Sequence, residues 1–247
     1  MALVKHDARG LSFRELNEKL HRLVAEGVDT IDLVNVNGQR YIGTGLARQV
    51  RLNIYGTPGS DLGAFMDGPE IYVHGSGQDA IGNTMNSGTI IINGDAGNVL
   101  GLSMRGGKIF VRGNVGYRVG IHIKAYGENL PKIIVGGVAG DFFGEYMAGG
   151  RMILLGLDRA PGQPVVGDFV GTGMHGGTIY IRGEVEEHQL GKEVGLMELT
   201  AEDEDILAED LAEFASIYNL SLEEIMKGPF VKLVPLSHRP YGQLYVY

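Results

Sequence analysis

Cysteine is absent from all 247 residues, so disulfides, thiolate metal sites, cysteine nucleophiles and iron–sulfur clusters bound by this chain are excluded from the outset. Tryptophan is absent as well. No apolar run approaches the roughly 18 residues of a membrane span, and the opening MALVKHDARG lacks the apolar core of a signal peptide. The expectation is a cytoplasmic protein that meets no membrane. A basic stripe is missing too, and a nucleic-acid partner would need one, so none is expected. What the chain has in excess is glycine: 40 residues, over twice the usual share of about 7%. Its 44% hydrophobic content is enough to build a sizeable core.

The net charge of -9 is concentrated in one segment. Residues 184–213 carry twelve acids against Lys192 alone, a local balance of -11 that leaves +2 for everything else. Such a run reads either as a solvated helix face or as a docking surface for a basic partner.

The glycines are periodic. Segments IYVHG, IIING, IFVRG, IIVGG, MILLG and IYIRG end at Gly75, Gly94, Gly113, Gly137, Gly156 and Gly183, and VNVNG and LNIYG extend the series back to Gly38 and Gly56. The steps are 18, 19, 19, 19, 24, 19 and 27, and the two long ones reduce to 19 if loops of five and eight residues are inserted. Four and two residues before each glycine stand apolar side chains, from Val34 and Val36 through Ile90 and Ile92 to Ile179 and Ile181. Period-two apolar positions in a short segment predict a strand with one buried face, and the same register in every segment predicts that those faces stack. A GxxGxxxG pattern follows several strands, as in Gly94/Gly97/Gly101 and Gly113/Gly116/Gly120.

A 19-residue period with one aliphatic strand and glycine corners fits a coil of short strands. The predicted fold is all-β: a right-handed, single-stranded parallel β-helix of about seven 19-residue turns over 33–183, rising about 4.8 Å per turn. Residues 1–32 are expected to form an N-terminal helical cap, with Ser12–Glu15 as a capping box. Residues 184–247 are expected to form an acidic C-terminal segment, with helices opening at Thr200 and Ser221 and an extended tail PFVKLVPLSHRPYGQLYVY. Met66, Met85, Met104, Ile123, Met147 and Met174 share one offset and read as a core ladder. Tyr72, Ile91, Phe110, Ile134, Ile153 and Tyr180 lie between the buried strand positions, on the outward face. A solvated face would be polar there, so this apolar column requires cover, from the chain's own termini or from another protein.

Chemistry is hard to find. GSGQDA and GTGMHG fit dinucleotide fingerprints, yet the next strand follows too closely for the helix such a unit requires. The seven histidines are scattered, with no metal-binding spacing, and no nucleophile elbow is present. Asp141 and Asp168 occupy the same offset in consecutive turns. Such a pair can do acid–base or calcium work on polysaccharide, as in an independent carbohydrate-active β-helix enzyme, or can simply stabilise turns.

The segments NGDAGNVLGLSMRGGKIFVRGNVGYRVG and VGGVAGDFFGEYMAGGRMILLG resemble the GXGXG repeats of the C-terminal domain of the glutamate synthase large subunit, over about residues 33–183. The flanking helices and the tail resemble the stand-alone subunit of archaeal-type glutamate synthases. The same repeat is known in one of the subunits of formylmethanofuran dehydrogenase and in one of N-methylglutamate synthase. The resemblance implies a non-catalytic scaffold between a glutamine amidotransferase-like subunit and an FMN-dependent synthase subunit, which together move the glutamine amide nitrogen to 2-oxoglutarate. FMN and an iron–sulfur cluster are then expected on those partners, and no cofactor or catalytic residue on this chain; self-association is a further option. Because residues that break a solenoid's period are free of core duty, the two insertions are the expected partner contacts, through Lys124, Tyr126, Glu128 and Asn129 in the first and Asp158 and Arg159 in the second.

Overall fold

The period-two aliphatic segments form short strands stacked in sequence order in a computed structural model that describes residues 3–237. After β1 (Leu3–Asp7) and helix α1 (Phe13–Ala25) come eight parallel strands: β2 (Thr30–Asn37), β3 (Arg51–Thr57), β4 (Asp67–Val73), β5 (Ser87–Ile92), β6 (Lys108–Val111), β7 (Lys132–Val135), β8 (Ala148–Leu154) and β9 (Gly176–Arg182). Each pairs with the next, giving the β-solenoid that the repeat predicts. From Leu52 and Ile54 to Ile179 and Ile181 the predicted inward pairs are fully buried, and so is the methionine row. Leu62, Ile81, Leu100, Val119, Phe143 and Val170 add a further buried column, so side-chain ladders fill the interior along its length.

The first repeat departs from the expected register. Ile31 and Leu33, not Val34, pair with Leu52 and Ile54 and face the core. Asn35 adopts φ 59, which an asparagine tolerates better than other non-glycine residues. The resulting bulge sets Val36 opposite Gly56.

Two glycines show why the pattern is strict. A Cβ on Gly101 would lie 2.4 Å from Ile133 Cδ1, and its φ of +71 is left-handed. Gly116 has no such φ; there a Cβ would meet Asn98 Oδ1 of the preceding turn at 2.2 Å. One glycine serves the core side of the corner and the other makes room for a polar side chain.

The flanking helices expected are present, but strands share in closing the ends. At the N-terminal edge β1 adds a parallel strand to β2, and α1, opened by the Ser12–Glu15 capping box, buries Leu16, Leu20, Leu23 and Val24. At the other edge the sheet is closed by strands. After a short 3-10 turn (Glu187–Gln189), β10 (Val194–Met197) pairs antiparallel with β11 (Phe230–Pro235), which pairs antiparallel with β9. Helices α2 (Ala201–Tyr218) and α3 (Leu222–Met226) lie instead against the side of the solenoid. The extended tail is a strand through Pro235; residues 238–247 of it lie outside the described residues.

The outward apolar column is thus covered by the chain itself. Leu207, Leu211, Phe214 and Ala215 of α2 and Ile225 of α3 bury Ile91, Phe110, Ile134, Ile153 and Tyr180 in a second core. At roughly 1.5–3 kcal/mol per large side chain removed from water, this cover is a main source of stability for the C-terminal segment. Further back, where α2 does not reach, the same column turns polar at Asn53 and Asp32, which hydrogen-bond each other at 2.7 Å.

Candidate functional site

Two corners of each turn carry non-glycine residues at positive φ. Asp61, Ala80, Val99, Arg118, Phe142 and Phe169 form one column, and Phe65, Thr84, Ser103, His122 and Tyr146 the other. In this conformation the N–H points to the following turn: Val99 donates to the Tyr117 carbonyl at 2.8 Å and Ser103 to that of Ile121 at 2.9 Å. Strained backbone is held by such a hydrogen bond from Asp61 through Phe142 in the first column and from Phe65 through Tyr146 in the second. Side chains at the later corners stack, Phe142 on Phe169 at 4.9 Å and His122 on Tyr146 at 5.2 Å. Arg118 lies 4.4 Å over Phe142 and also pairs with the buried Glu145.

The polar row that contains Asp141 and Asp168 is a backbone ladder. Asp79 accepts from the Asn98 N–H at 2.7 Å, Asn98 from the Tyr117 N–H at 2.9 Å, and Asp141 from the Asp168 N–H at 2.9 Å. Each bond reaches one turn ahead rather than closing a local Asx turn. Asp141 and Asp168 both border a groove of about 940 Å³ next to the second insertion, but the Asp141 carboxylate is turned to the backbone of its neighbour, not to the opposite carboxylate. Neither glycine string is followed by a helix: β5 follows GSGQDA, and β9 begins at the last glycine of GTGMHG. Among the described residues no group of three or more His, Asp or Glu is placed to hold a metal ion, and His238 lies outside them.

The first insertion precedes β7 and the second follows β8, and they line different clefts. The first folds into a tight turn in which Tyr126 and Asn129 exchange backbone hydrogen bonds of 3.2 and 3.1 Å. It brings Lys124, Tyr126 and Asn129 together over a cleft of about 590 Å³ whose floor is Asn86, Ser103, Arg105 and His122. Glu128 is exposed on the same loop and does not line the cleft. In the second insertion Asp158 pairs with Arg112 at 2.7 Å, tying the loop back to the end of β6, and the Arg159 guanidinium lies over Gly183.

The acidic run has a mixed role that neither sequence reading captured. Much of it is solvated, but three of its acids dock the helix, two of them on a basic column of the solenoid. Lys108, Lys132 and Arg151 start β6, β7 and, within its paired stretch, β8, in register. Lys108 meets Glu213 at 2.6 Å, and Lys132 (2.5 Å) and Arg151 converge on buried Asp210. Asp203 is bound by Lys232 at 2.8 Å and by the Tyr180 hydroxyl. Burial alone would raise the Asp203 pKa, but hydrogen bonds from Lys232, Tyr180 and Thr200 outweigh it and hold the carboxyl well below the usual carboxylate range. Burial, reinforced by Asp203, pushes the Tyr180 phenol up, and burial does the same to Tyr218, whose hydroxyl donates to the Ile92 carbonyl at 2.9 Å. The basic partner of the acidic segment is this chain's own strand column, a signal present in the sequence as Lys108, Lys132 and Arg151 at one offset.

Residues 28–235 match the protein family described as GXGXG motif. An uncharacterized protein of Methanocaldococcus jannaschii is 47% identical over 247 residues, covering 97% of this chain and 95% of that protein. Among solved structures, a chain of the formyltransferase/hydrolase complex (FhcABCD) from Methylorubrum extorquens, in complex with methylofuran, superposes with a TM-score of 0.61 at 18% identity, covering 93% of this chain and 94% of that one. At that identity the likeness is one of fold.

Proposed function

The chain belongs to the GXGXG motif family, and on that premise we propose that it is a non-catalytic scaffold subunit of a multi-subunit enzyme complex whose partners carry the chemistry. The observation that carries this reading is where the polar groups go. The interior is filled by apolar ladders, the carboxylates of the corners hold backbone N–H groups, and the acids of α2 hold the strand column. The glutamate-synthase-type setting rests on the resemblance of the repeats: an amidotransferase-like subunit and an FMN-dependent synthase subunit, bearing FMN and an iron–sulfur cluster, would assemble on this chain. A formyl-transferring complex is the second reading, favoured because a chain of such a complex matches this one over nearly its full length. In either setting the partner contacts are assigned to the insertions, through Lys124, Tyr126, Glu128 and Asn129 and through Asp158 and Arg159.

Affinity purification of the chain from its own cells tests the proposal. Stoichiometric partners and glutamine-dependent glutamate formation from 2-oxoglutarate support the first setting, and formyl transfer the second. A chain that purifies alone, or that carries stoichiometric flavin by itself, overturns the scaffold reading. Trimming each insertion to a 19-residue turn should leave the melting temperature nearly unchanged and weaken partner recovery.

A further inference from the structure

Successive turns of a parallel solenoid bring equivalent residues to within about 4.8 Å along the axis, so cations at one offset in adjacent turns stand against each other. The strand-start column resolves this internally, since Glu213 and Asp210 neutralise Lys108, Lys132 and Arg151. A second column has no such answer. Asn86, Arg105 and Lys124 occupy one offset in three consecutive turns and line the cleft under the first insertion. No acid lines that cleft, and among the described residues neither Arg105 nor Lys124 has a carboxylate partner. The acids nearest in the repeat are engaged or do not line the cleft: Asp67 accepts from the Ser87 hydroxyl at 2.5 Å, Glu145 pairs with Arg118, and Glu128 is exposed and not among the lining residues.

The loop itself is shaped as a roof. Its backbone is closed by the Tyr126–Asn129 pair, and Asn129 rests on Gly106 of an earlier turn, where an added Cβ would have only 3.2 Å to the Asn129 Cβ. Five additional residues therefore fold back over the charged column instead of projecting from it. The cleft volume of about 590 Å³ falls within the range of small-molecule sites, about 300–1,000 Å³.

We infer that this cleft binds a small ligand bearing a phosphate or carboxylate group. Arg105 supplies a planar fork that matches two oxygens of an oxyanion, and Lys124 adds a mobile point charge one turn above. Half-buried Asn86 and Ser103 contribute neutral donors, and Tyr126 and Asn129 border the cleft from the loop. The site is independent of which complex the chain serves.

The test is a titration of the intact chain with inorganic phosphate, and separately with citrate, at constant ionic strength kept by sodium chloride. The thermal midpoint should rise saturably with anion, and calorimetry should give one site per chain. Arg105→Gln with Lys124→Gln should weaken binding at least tenfold, by about tenfold for each charge-assisted contact removed. Lys5→Gln with Lys192→Gln, which changes net charge equally at exposed positions away from the cleft, should bind like the parent. Without anion the cleft double variant should melt at or above the parent midpoint, because a repulsion has been removed. Equal binding by the cleft variant, equal loss in the control pair, or no saturable binding by the parent overturns the inference. Should the double variant fail to fold, Arg105→Gln alone decides, and unchanged affinity there is refuting. A response to citrate alone would make the ligand a carboxylate, and to phosphate alone a phosphate.

Discussion

Asp210→Asn should separate the two cores of this protein. Asp210 is 3% exposed and is the common acceptor for Lys132 and Arg151, which stand at paired positions of neighbouring strands. Asparagine keeps the shape and removes the charge, leaving two largely buried cations facing each other without a counter-ion. Breaking a buried pair from one side costs about 3–5 kcal/mol, against a total of about 5–15 for a whole domain. The loss falls on α2 alone, since the solenoid interior is a distinct cluster of ladders that α2 does not enter. The expected outcome is undocking of α2 with the solenoid intact. Melting followed by circular dichroism should split into an early helical step and a late β step. A hydrophobic dye should bind the uncovered Ile91, Phe110, Ile134 and Ile153, and α2 should become sensitive to protease. Replacing all three groups by apolar ones, Asp210→Leu with Lys132→Met and Arg151→Met, should restore docking, because a buried ion cluster exchanged for packed hydrophobes is often neutral. An Asp210→Asn variant that melts like the parent, binds no dye and resists protease would refute the account of how the acidic helix is held.

Ile92→Asp places an unpaired carboxylate in the fully buried ladder between Val73 and Val111, at a cost of several kcal/mol, and should yield insoluble or unfolded chain; a cooperatively melting, soluble variant would contradict the strand register. Gly116→Ala should lower stability by about 1–3 kcal/mol in denaturant unfolding, because its methyl displaces Asn98 Oδ1 from the Tyr117 N–H, while Asn98→Ala should make the added methyl nearly harmless. Stability should be level near neutral pH and fall at both extremes. The Asp203 pKa is depressed, so its contribution is present above the ordinary carboxylate value of about 3.9 and is lost as pH falls below it; those of Tyr180 and Tyr218 are raised, so their contribution is present below about 10 and is lost as pH rises beyond it. Denaturant midpoints across pH check this, and a phenolate absorbance rise near pH 10, before any loss of structure, that shrinks in Tyr180→Phe or Tyr218→Phe would contradict the burial of the replaced tyrosine.

The solenoid was legible because a stacked fold writes each structural requirement once per turn. A buried strand position in β5 recurs in β6 and β7, so chance agreement is quickly excluded, and the outward column Tyr72–Tyr180 by itself announced a missing cover. The same logic fails where the repeat meets its boundary. Val34 satisfied the pattern as well as Leu33 does, and what decides between them is a bulge at Asn35, a backbone conformation that apolar periodicity does not encode. The closure of the C-terminal edge by β11 and β10 was equally hidden, since an antiparallel return between Phe230 and Arg182 depends on where the preceding helices deliver the chain.

Which groups would act, as opposed to which would pack, was harder to read, for a related reason. Aliphatic positions announce themselves singly by alternation, whereas a charged position in a solenoid acquires meaning only from the residues one turn above and below it. Read along the chain, Lys108, Lys132 and Arg151 are three cations at strand starts, and the acidic helix is an exposed amphipathic segment. Read down the columns, the first set is a positive stripe 24 and 19 residues in step, and Asp210 and Glu213 on α2 are its complement. Arg105 and Lys124 repeat the first half of that arrangement without the second. The comparison between the two columns, one neutralised by the chain and one left open under a roof, separates charge that serves the fold from charge available to a ligand, and it requires the stacking that only the folded chain supplies.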